Sequence, residues 1–135
     1  MKPIRIQPAT SFPFAPAATD LLYEQGMLLP FTLGRRRVPF CQIVRLEGVG
    51  NYTLFVFTDN TRLIVALTLK RLTARLPVGL FLRPHRKHLL NLTHLNSIDQ
   101  IRYVADMSNG DCVAVSRRKA AGFCREVRQR IAALA

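Results

Sequence analysis

The chain alternates short apolar segments with turn signals from residue 38 to residue 115. The first three segments, rich in Val, Ile, Leu and Phe, have the length of strands and occupy 40–46, 51–57 and 61–67, with turns at 47–50 and 58–60. Four more follow at 81–82, 87–92, 98–104 and 112–115, the last after the Ser-Asn-Gly-Asp turn at 108–111. Strands joined by tight turns pair antiparallel. The pattern therefore predicts a fold made mainly of antiparallel β-sheet.

Two helices are predicted within this β pattern. Thr68 is placed to cap a short internal helix that ends before Pro77, with one apolar face made by Leu69, Leu72 and Leu76. Ser116 is placed to cap a C-terminal helix with apolar residues at helical spacing, at 120, 123, 124, 127 and 131. We therefore expect a mostly β protein, an elongated antiparallel β-sheet or sandwich domain with one short internal helix and a C-terminal helix.

The first 33 residues differ in composition from the rest. Four prolines fall within the first 16 residues, and proline removes a backbone N–H that helices and central strands use. Residues 1–33 are predicted to form a proline-rich N-terminal arm, with room for a short helix at 20–25 that Thr19-Asp20 could cap and that stops at Gly26. Residues 34–135 are predicted to be the folded domain. The run Arg35-Arg36-Arg37 at its entrance is either a solvated face or a contact for phosphates or a minor groove.

The net charge of +12 is concentrated in the predicted domain. Residues 1–33 hold two basic and two acidic side chains, so the whole excess lies in 34–135. Such a field attracts polyanions. Apolar runs fall short of the roughly 18–20 residues that a membrane span needs, and the early prolines interrupt anything like a signal peptide. We expect a cytoplasmic protein.

The segment 81–91, FLRPHRKHLLN, places a dense basic tip beside apolar residues that can be buried. An arginine fork can bind O6 and N7 of guanine, and a lysine can add a base or phosphate contact. Arg86 and Lys87 are therefore predicted to contact DNA. His85 either reaches DNA or packs beside it. His85 and His88 are expected on opposite faces of a strand.

A second basic tip, Ser116-Arg117-Arg118-Lys119, follows the apolar segment 112–115. Positive charge at a helix N-terminus opposes the helix dipole, so the placement of Arg117 and Arg118 favours a binding role over a stabilising one. Arg117 is predicted to contact DNA. Arg118 and Lys119 are expected to contact the phosphate backbone of the DNA.

Asn51 and Tyr52 are further candidates, because they follow two glycines that let a loop project. The Asn51 amide suits adenine or a phosphate. Tyr52 either contacts DNA or lies half-buried in a strand.

Catalytic and metal chemistry find no support in the sequence. There is no GxSxG motif, no phosphate-binding glycine loop and no plausible pair of carboxylates, so we predict that the protein is not an enzyme. The three histidines have no nearby cysteine to complete a zinc site, so neither a metal nor another cofactor is expected. The three cysteines are expected to be small buried hydrophobes, at Cys41, Cys112 and Cys124.

Four motifs resemble the LytTR family, the DNA-binding domain of LytR/AlgR-type bacterial transcription regulators. They are IVRLEGVGNYTLFVFTDN at 43–60, TLKRLTARLP at 68–77, FLRPHRKHLLNLTHLNSI at 81–98 and VAVSRRK at 113–119. The third is the most specific, because the family carries an F-x-R-x-H-R-S-x-x-V-N-like string there. In this chain Lys87 replaces the small hydroxyl residue and Pro84 follows Arg83.

The resemblance implies a fold whose loops enter successive major grooves and read short direct repeats in promoters, often as two protomers. It also implies DNA contacts at the positions of Tyr52 and Arg117. Most family members carry an N-terminal receiver domain. Because 33 residues are too few for one, we expect a stand-alone version.

The predicted partner is double-stranded DNA, with a homodimer on DNA and a regulatory protein partner both left open. One alternative is an RNA-binding or ribosome-associated β-domain, which would expose aromatic side chains for base stacking. Phe55 and Phe57 look instead like core residues. The other alternative is a protein-interaction adaptor that meets an acidic partner, with the arm or the Phe123, Val127 and Ile131 face as a contact.

Overall fold

The computed structural model of the protein describes residues 4–5, 26–77 and 79–134. Its strands are β1 (Ile4–Arg5), β2 (Gly26–Phe31), β3 (Gly34–Pro39), β4 (Ile43–Val49), β5 (Tyr52–Phe57), β6 (Arg62–Val65), β7 (Phe81–His85), β8 (His88–Asn91), β9 (Leu95–Asp99), β10 (Val104–Met107) and β11 (Cys112–Ala114). The helices are α1 (Leu69–Thr73) and α2 (Ala120–Leu134). The predicted mostly β class, with a short internal helix and a C-terminal helix, is confirmed.

A five-stranded antiparallel sheet, in the order β6-β5-β4-β8-β7, forms the middle layer. Successive side chains of a strand point to opposite faces, and here both faces are covered. Leu89 packs in a cluster with the β2–β3 hairpin and α1. Its neighbour Leu90 packs in a second cluster with α2 and with strands β9, β10 and β11 of the four-stranded sheet β1-β9-β10-β11. The continuous apolar run of β8 is therefore explained by burial on two sides.

The β2–β3 hairpin belongs to the folded body. Its strands pair from Gly26 with Pro39 to Phe31 with Gly34, and Leu29 is only 1% exposed. The predicted domain boundary after residue 33 therefore falls inside the turn of a hairpin. The helix predicted at 20–25 lies outside the described residues.

Several element boundaries differ from the sequence prediction. Residues Phe40–Gln42 form a 3-10 turn in place of the start of a strand, and β4 continues to Val49. The single strand predicted at 98–104 is wrong: two strands, β9 and β10, are joined by a turn in which Tyr103 has a positive φ of 56°. Positive φ is uncommon outside glycine and asparagine, so composition gave no sign of this turn.

The helices were predicted well in kind and less well in extent. The Thr68 hydroxyl accepts from Arg71 N at 3.4 Å, which confirms the cap, but α1 ends at Thr73. In α2, Phe123 and Val127 are buried in the core, so the face predicted for a protein partner is already covered. Among the described residues, no helix has the length and apolar character needed to cross a membrane.

The cysteines do not share one environment. Cys124 is buried, as predicted, whereas Cys41 is half-buried and Cys112 is exposed. The prediction of a buried hydrophobe is wrong for Cys112, which is exposed on the short strand β11. Its Sγ donates a hydrogen bond to Asp106 Oδ1 at 3.1 Å. That hydrogen bond raises the pKa of the Cys112 thiol.

Asn91 is the polar centre of the fold. Its side chain is fully buried, and its Nδ2 donates to Phe40 O at 3.0 Å and Ile43 O at 2.9 Å. Its Oδ1 accepts from the N–H and the hydroxyl of Thr93. One amide thus joins the end of β8 to the segment that leads into β4.

His94 makes a second long-range link. Its Nε2 lies 2.6 Å from Cys41 O and its Nδ1 lies 2.8 Å from Ser108 Oγ. Because a carbonyl oxygen can only accept, Nε2 donates and Nδ1 accepts from the hydroxyl. Burial lowers the pKa of His94, and the hydrogen bond to Cys41 O opposes this only in part. The folded protein therefore favours the neutral imidazole.

We expect Asn91→Ala to lower the free energy of unfolding by about 2–4 kcal/mol, since several buried groups lose their partners at roughly 1–3 kcal/mol each. Urea unfolding followed by circular dichroism measures this. The matched control is Asn96→Ala, a half-buried asparagine whose Oδ1 has no partner within the described structure. An equal loss in both variants would contradict the role assigned to Asn91.

The stability of the fold should fall as the pH drops below about 6.5, the usual pKa of histidine. Because the folded-state pKa of His94 is depressed, its contribution is complete above the unfolded pKa and is lost as the pH falls towards the folded pKa. Unfolding measured between about pH 8 and pH 5 should show a steeper loss for the native chain than for His94→Gln, whose amide does not titrate. Parallel curves would disprove the assignment.

Candidate nucleic-acid interface

Two of the predicted basic or polar tips lie at the same end of the central sheet. In the pairing of β4 with β8, Glu47 faces His88, so the C-terminal end of β4 lies beside the N-terminal start of β8. Gly48 N donates to Lys87 O at 2.8 Å. The β4–β5 turn and the β7–β8 turn are therefore neighbours, joined through their main chains.

The β4–β5 connection is tighter than predicted. Val49 pairs with Tyr52, which leaves only Gly50 and Asn51 as turn residues. Gly50 has a φ of +60°, and a glycine with positive φ at the first central position is the arrangement of a type II′ hairpin turn. Asn51 is exposed in this turn and Tyr52, 52% exposed, opens β5. Tyr52 is thus available to a ligand from the start of the strand.

The β7–β8 tip presents Arg86 and Lys87, both exposed, as its two turn residues. Arg83 braces the tip from β7, because its Nη2 donates to Arg86 O at 2.6 Å. His85 also stabilises the tip, because its Nδ1 accepts a hydrogen bond from Lys87 N at 3.1 Å. A neutral His85 therefore carries its proton on Nε2, from which it can donate to an acceptor on a ligand.

His85 and His88 do not lie on opposite faces. They are cross-strand partners on the two sides of the turn, with ring centroids 5.5 Å apart. The prediction placed the two residues three positions apart on one strand and missed the turn between them. Burial lowers the pKa of His88, whose Nδ1 lies 3.7 Å from Glu47 Oε1.

The third basic segment is attached to the outer edge of β7. Ser116 N donates to Pro84 O at 2.9 Å, and Pro84 lies within a bulged edge strand, where its missing N–H removes no ladder hydrogen bond. The departure from the family string at Pro84 is therefore compatible with the fold. It leaves a carbonyl that holds the next segment in place.

Arg117, Arg118 and Lys119 are exposed and precede α2 instead of starting it. Ser116 O accepts from Lys119 N at 3.0 Å, and Lys119 O accepts from Phe123 N at 2.8 Å. Ser116 therefore closes a turn before the helix and does not cap it. The predicted conflict of Arg117 and Arg118 with the helix dipole is weakened, because both lie outside the first helical turn.

Tyr103 orients Arg117. The guanidinium carbon of Arg117 lies 5.5 Å from the centroid of the Tyr103 ring, within cation–π range. The backbone fixes this pair as well, since Val115 N donates to Tyr103 O at 2.8 Å. A guanidinium stacked through its face keeps N–H donors at its edge free for a ligand.

A groove at this end holds two basic residues that the site prediction left out. It has a volume of about 380 Å³ and is lined by Gly48, Gly50, Thr68, Leu69, Lys70, Arg83, Arg86 and Lys87. Neither Lys70 nor Arg83 was among the residues predicted to contact DNA. Lys70 could not have been found from sequence alone, because α1 reaches the tips only through folding.

Glu47, the carboxylate beside the β4–β5 and β7–β8 turns, is already paired with Arg45 at 2.9 Å. On its other side, away from these turns, Arg45 donates to Asp111 at 2.8 Å. Burial alone would raise the pKa of the Asp111 carboxyl, but hydrogen bonds from Arg45 and Asn109 hold it below its ordinary value. The negative charge of Glu47 is therefore neutralised by Arg45, and the tips keep their positive potential.

Other chemistry is poorly served by this surface. Phe55 and Phe57 are buried, so they cannot stack on RNA bases as the RNA-binding alternative requires. Among the described residues, no three His, Cys, Asp or Glu side chains are grouped so that they could hold a metal ion.

The fold and sequence of this chain are similar to those of known DNA-binding domains. The profile of the LytTr DNA-binding domain matches residues 34–127. A solved structure, the LytTr DNA-binding domain of a putative methyl-accepting/DNA response regulator from Bacillus cereus, superposes with a TM-score of 0.67 at 25% identity, over 76% of this chain and 96% of that one.

Two curated relatives are similar over a shorter stretch. They are the heme-containing CO-sensing transcriptional regulators RcoM 1 and RcoM 2 of Paraburkholderia xenovorans, each 36% identical over 83 residues. The match covers 58% of this chain and only 31% of the length of either relative. What the chain shares with them is thus a fraction of their length.

These matches identify a DNA-binding regulatory domain. The chain belongs to the LytTR family, as the four sequence motifs predicted.

Proposed function

We propose that the protein is a sequence-specific transcription regulator that reads short direct repeats in promoter DNA through segments placed in successive major grooves. The observation that carries the proposal is the gathering of three candidate segments at one end of the sheet. Two main-chain hydrogen bonds join them, from Gly48 N to Lys87 O and from Ser116 N to Pro84 O. Tips held in fixed register suit recognition of a fixed DNA spacing.

Arg86 and Arg117 are proposed to read base edges, because each presents a guanidinium from a braced backbone and guanine is the base that such a fork binds best. Arg86 is held at its carbonyl by Arg83, and Arg117 rests on Tyr103. Asn51 and Tyr52 are proposed to contact DNA from the adjacent turn.

The remaining tip residues are proposed to set the register on the phosphates. Lys87, Arg118 and Lys119 are exposed, and lysine acts as a point charge that suits phosphate. His85 is proposed to donate from Nε2 to the DNA. Contacts of this kind position the protein without carrying sequence information. A second copy on DNA and a regulatory protein partner remain compatible with this arrangement.

Selection from a randomised duplex library at near-physiological salt should enrich a direct repeat. Arg86→Ala should relax the preference at one base position and cost about 1–3 kcal/mol on the best site. The matched control is Arg62→Ala, which removes the same charge from the opposite end of the central sheet. Uniform weakening on all sequences by Arg86→Ala would make Arg86 a phosphate contact. An absence of any enriched sequence would disprove the proposed function itself.

Tyr103→Leu should weaken binding to the selected site about two- to five-fold, the effect of losing an exposed cation–π contact. Tyr103→Phe keeps a ring beneath the guanidinium and should bind like the native chain. Competition binding with both variants in an Arg117→Ala background completes the test. There the Leu substitution should have no further effect, and a full additive loss would show that Tyr103 acts independently of Arg117.

A further inference from the structure

The groove beside the β7–β8 tip has the features of an anion site. Its lining comes from three separate parts of the chain: the β4–β5 turn, the start of α1 and the β7–β8 hairpin. Four of its eight lining residues are basic, namely Lys70, Arg83, Arg86 and Lys87, and none is acidic. A concave surface with charge of one sign focuses its field on a counter-ion.

Glycine keeps the groove open on the side of the β4–β5 turn. A β-carbon at Gly48 would already meet Leu69 Cβ and Lys87 O at 3.8 Å, so a longer side chain there would grow into the space between α1 and the tip. Nothing lies within 4 Å of the β-carbon position at Gly50. The lack of a side chain at Gly48 therefore keeps this part of the groove open.

Arg83 offers unused hydrogen-bonding capacity at the groove. Its Nη2 is committed to Arg86 O, while its Nε is buried and finds no partner within the described structure. A buried N–H without a partner is costly. An anion close to this guanidinium would offset that cost through its charge.

Lys70 differs from its neighbour Arg71. Both are exposed on α1, but Lys70 lines the groove and Arg71 does not. The helix thus directs one of two adjacent cations towards the base-reading tip. Because the chain offers both side by side, it provides its own control.

We propose that this groove binds one phosphate of the DNA backbone, with Lys70 as its principal charge. The inference rests on the proposed function and extends it to a contact outside the hairpin tips. A phosphate held beside the tip fixes the distance of the β7–β8 hairpin from the double helix. Lys70 therefore contributes affinity and register, while the base preference stays with the tips.

Lys70→Ala and Arg71→Ala are compared on the selected duplex across a range of salt concentrations. Each phosphate contact contributes about 0.9 to the slope of log K against log salt. Lys70→Ala should reduce the slope by about that amount and weaken all sequences equally, with the base preference unchanged. Arg71→Ala should leave the slope as it is. Equal changes in both variants would mean that only long-range charge is felt and would overturn the proposal.

A second measurement identifies the phosphate itself. Duplexes are made with one neutral methylphosphonate at a time, and the affinity of each is measured for the native chain and for Lys70→Ala. At one position the neutral group should weaken the native chain several-fold and leave Lys70→Ala unaffected, because the same contact cannot be lost twice. Arg71→Ala should respond like the native chain at that position.

The outcomes separate the groove from the function. Specific binding by the native chain, with no phosphate coupled to Lys70, would overturn the groove proposal and leave the proposed function intact. A changed base preference in Lys70→Ala would also overturn it, since Lys70 would then read a base. Failure of the native chain to bind any sequence preferentially would overturn both.

Discussion

The buried amide of Asn91 is the interaction on which the rest of the fold depends. The amide satisfies two carbonyl groups of the segment that leads into β4 and two donors of Thr93. A buried polar group is favourable only when its hydrogen bonds are made. The Asn91 side chain makes four of them. It fixes where β8 ends relative to where β4 begins, and that register decides which residues reach the basic end of the sheet.

From this register, main-chain contacts assemble the basic end of the sheet. The pairing of Glu47 with His88 brings two turns together, and the Pro84 carbonyl on the sheet edge receives the segment that precedes α2. Side chains then refine the positions, as Arg83 does for the tip and Tyr103 for Arg117. The basic residues, although far apart in sequence, thus form one surface through backbone geometry.

Much of this was predictable from the sequence. The alternation of apolar segments and turns indicated the antiparallel fold, and the Thr68 cap and the Asn-Gly turn at 109–110 were read from local chemistry that the structure retains. The features that were missed depend on long-range contacts or on unusual backbone. The turn at Tyr103 has positive φ without a glycine, and the pairing of His85 with His88 depends on a turn made of arginine and lysine. Lys70 acquires its neighbours only when α1 packs beside β4.

The main-chain origin of the tip spacing separates two properties that could have been coupled. The distances between the three segments are set by backbone atoms of Gly48, Lys87, Pro84 and Ser116, whereas the side chains that face outward at 51, 86 and 117 carry no part of that framework. Under the proposed function, exchanging those side chains would retarget the protein to another operator while its reading frame along the double helix stayed constant. The base specificity of such a scaffold can change while its backbone arrangement stays the same.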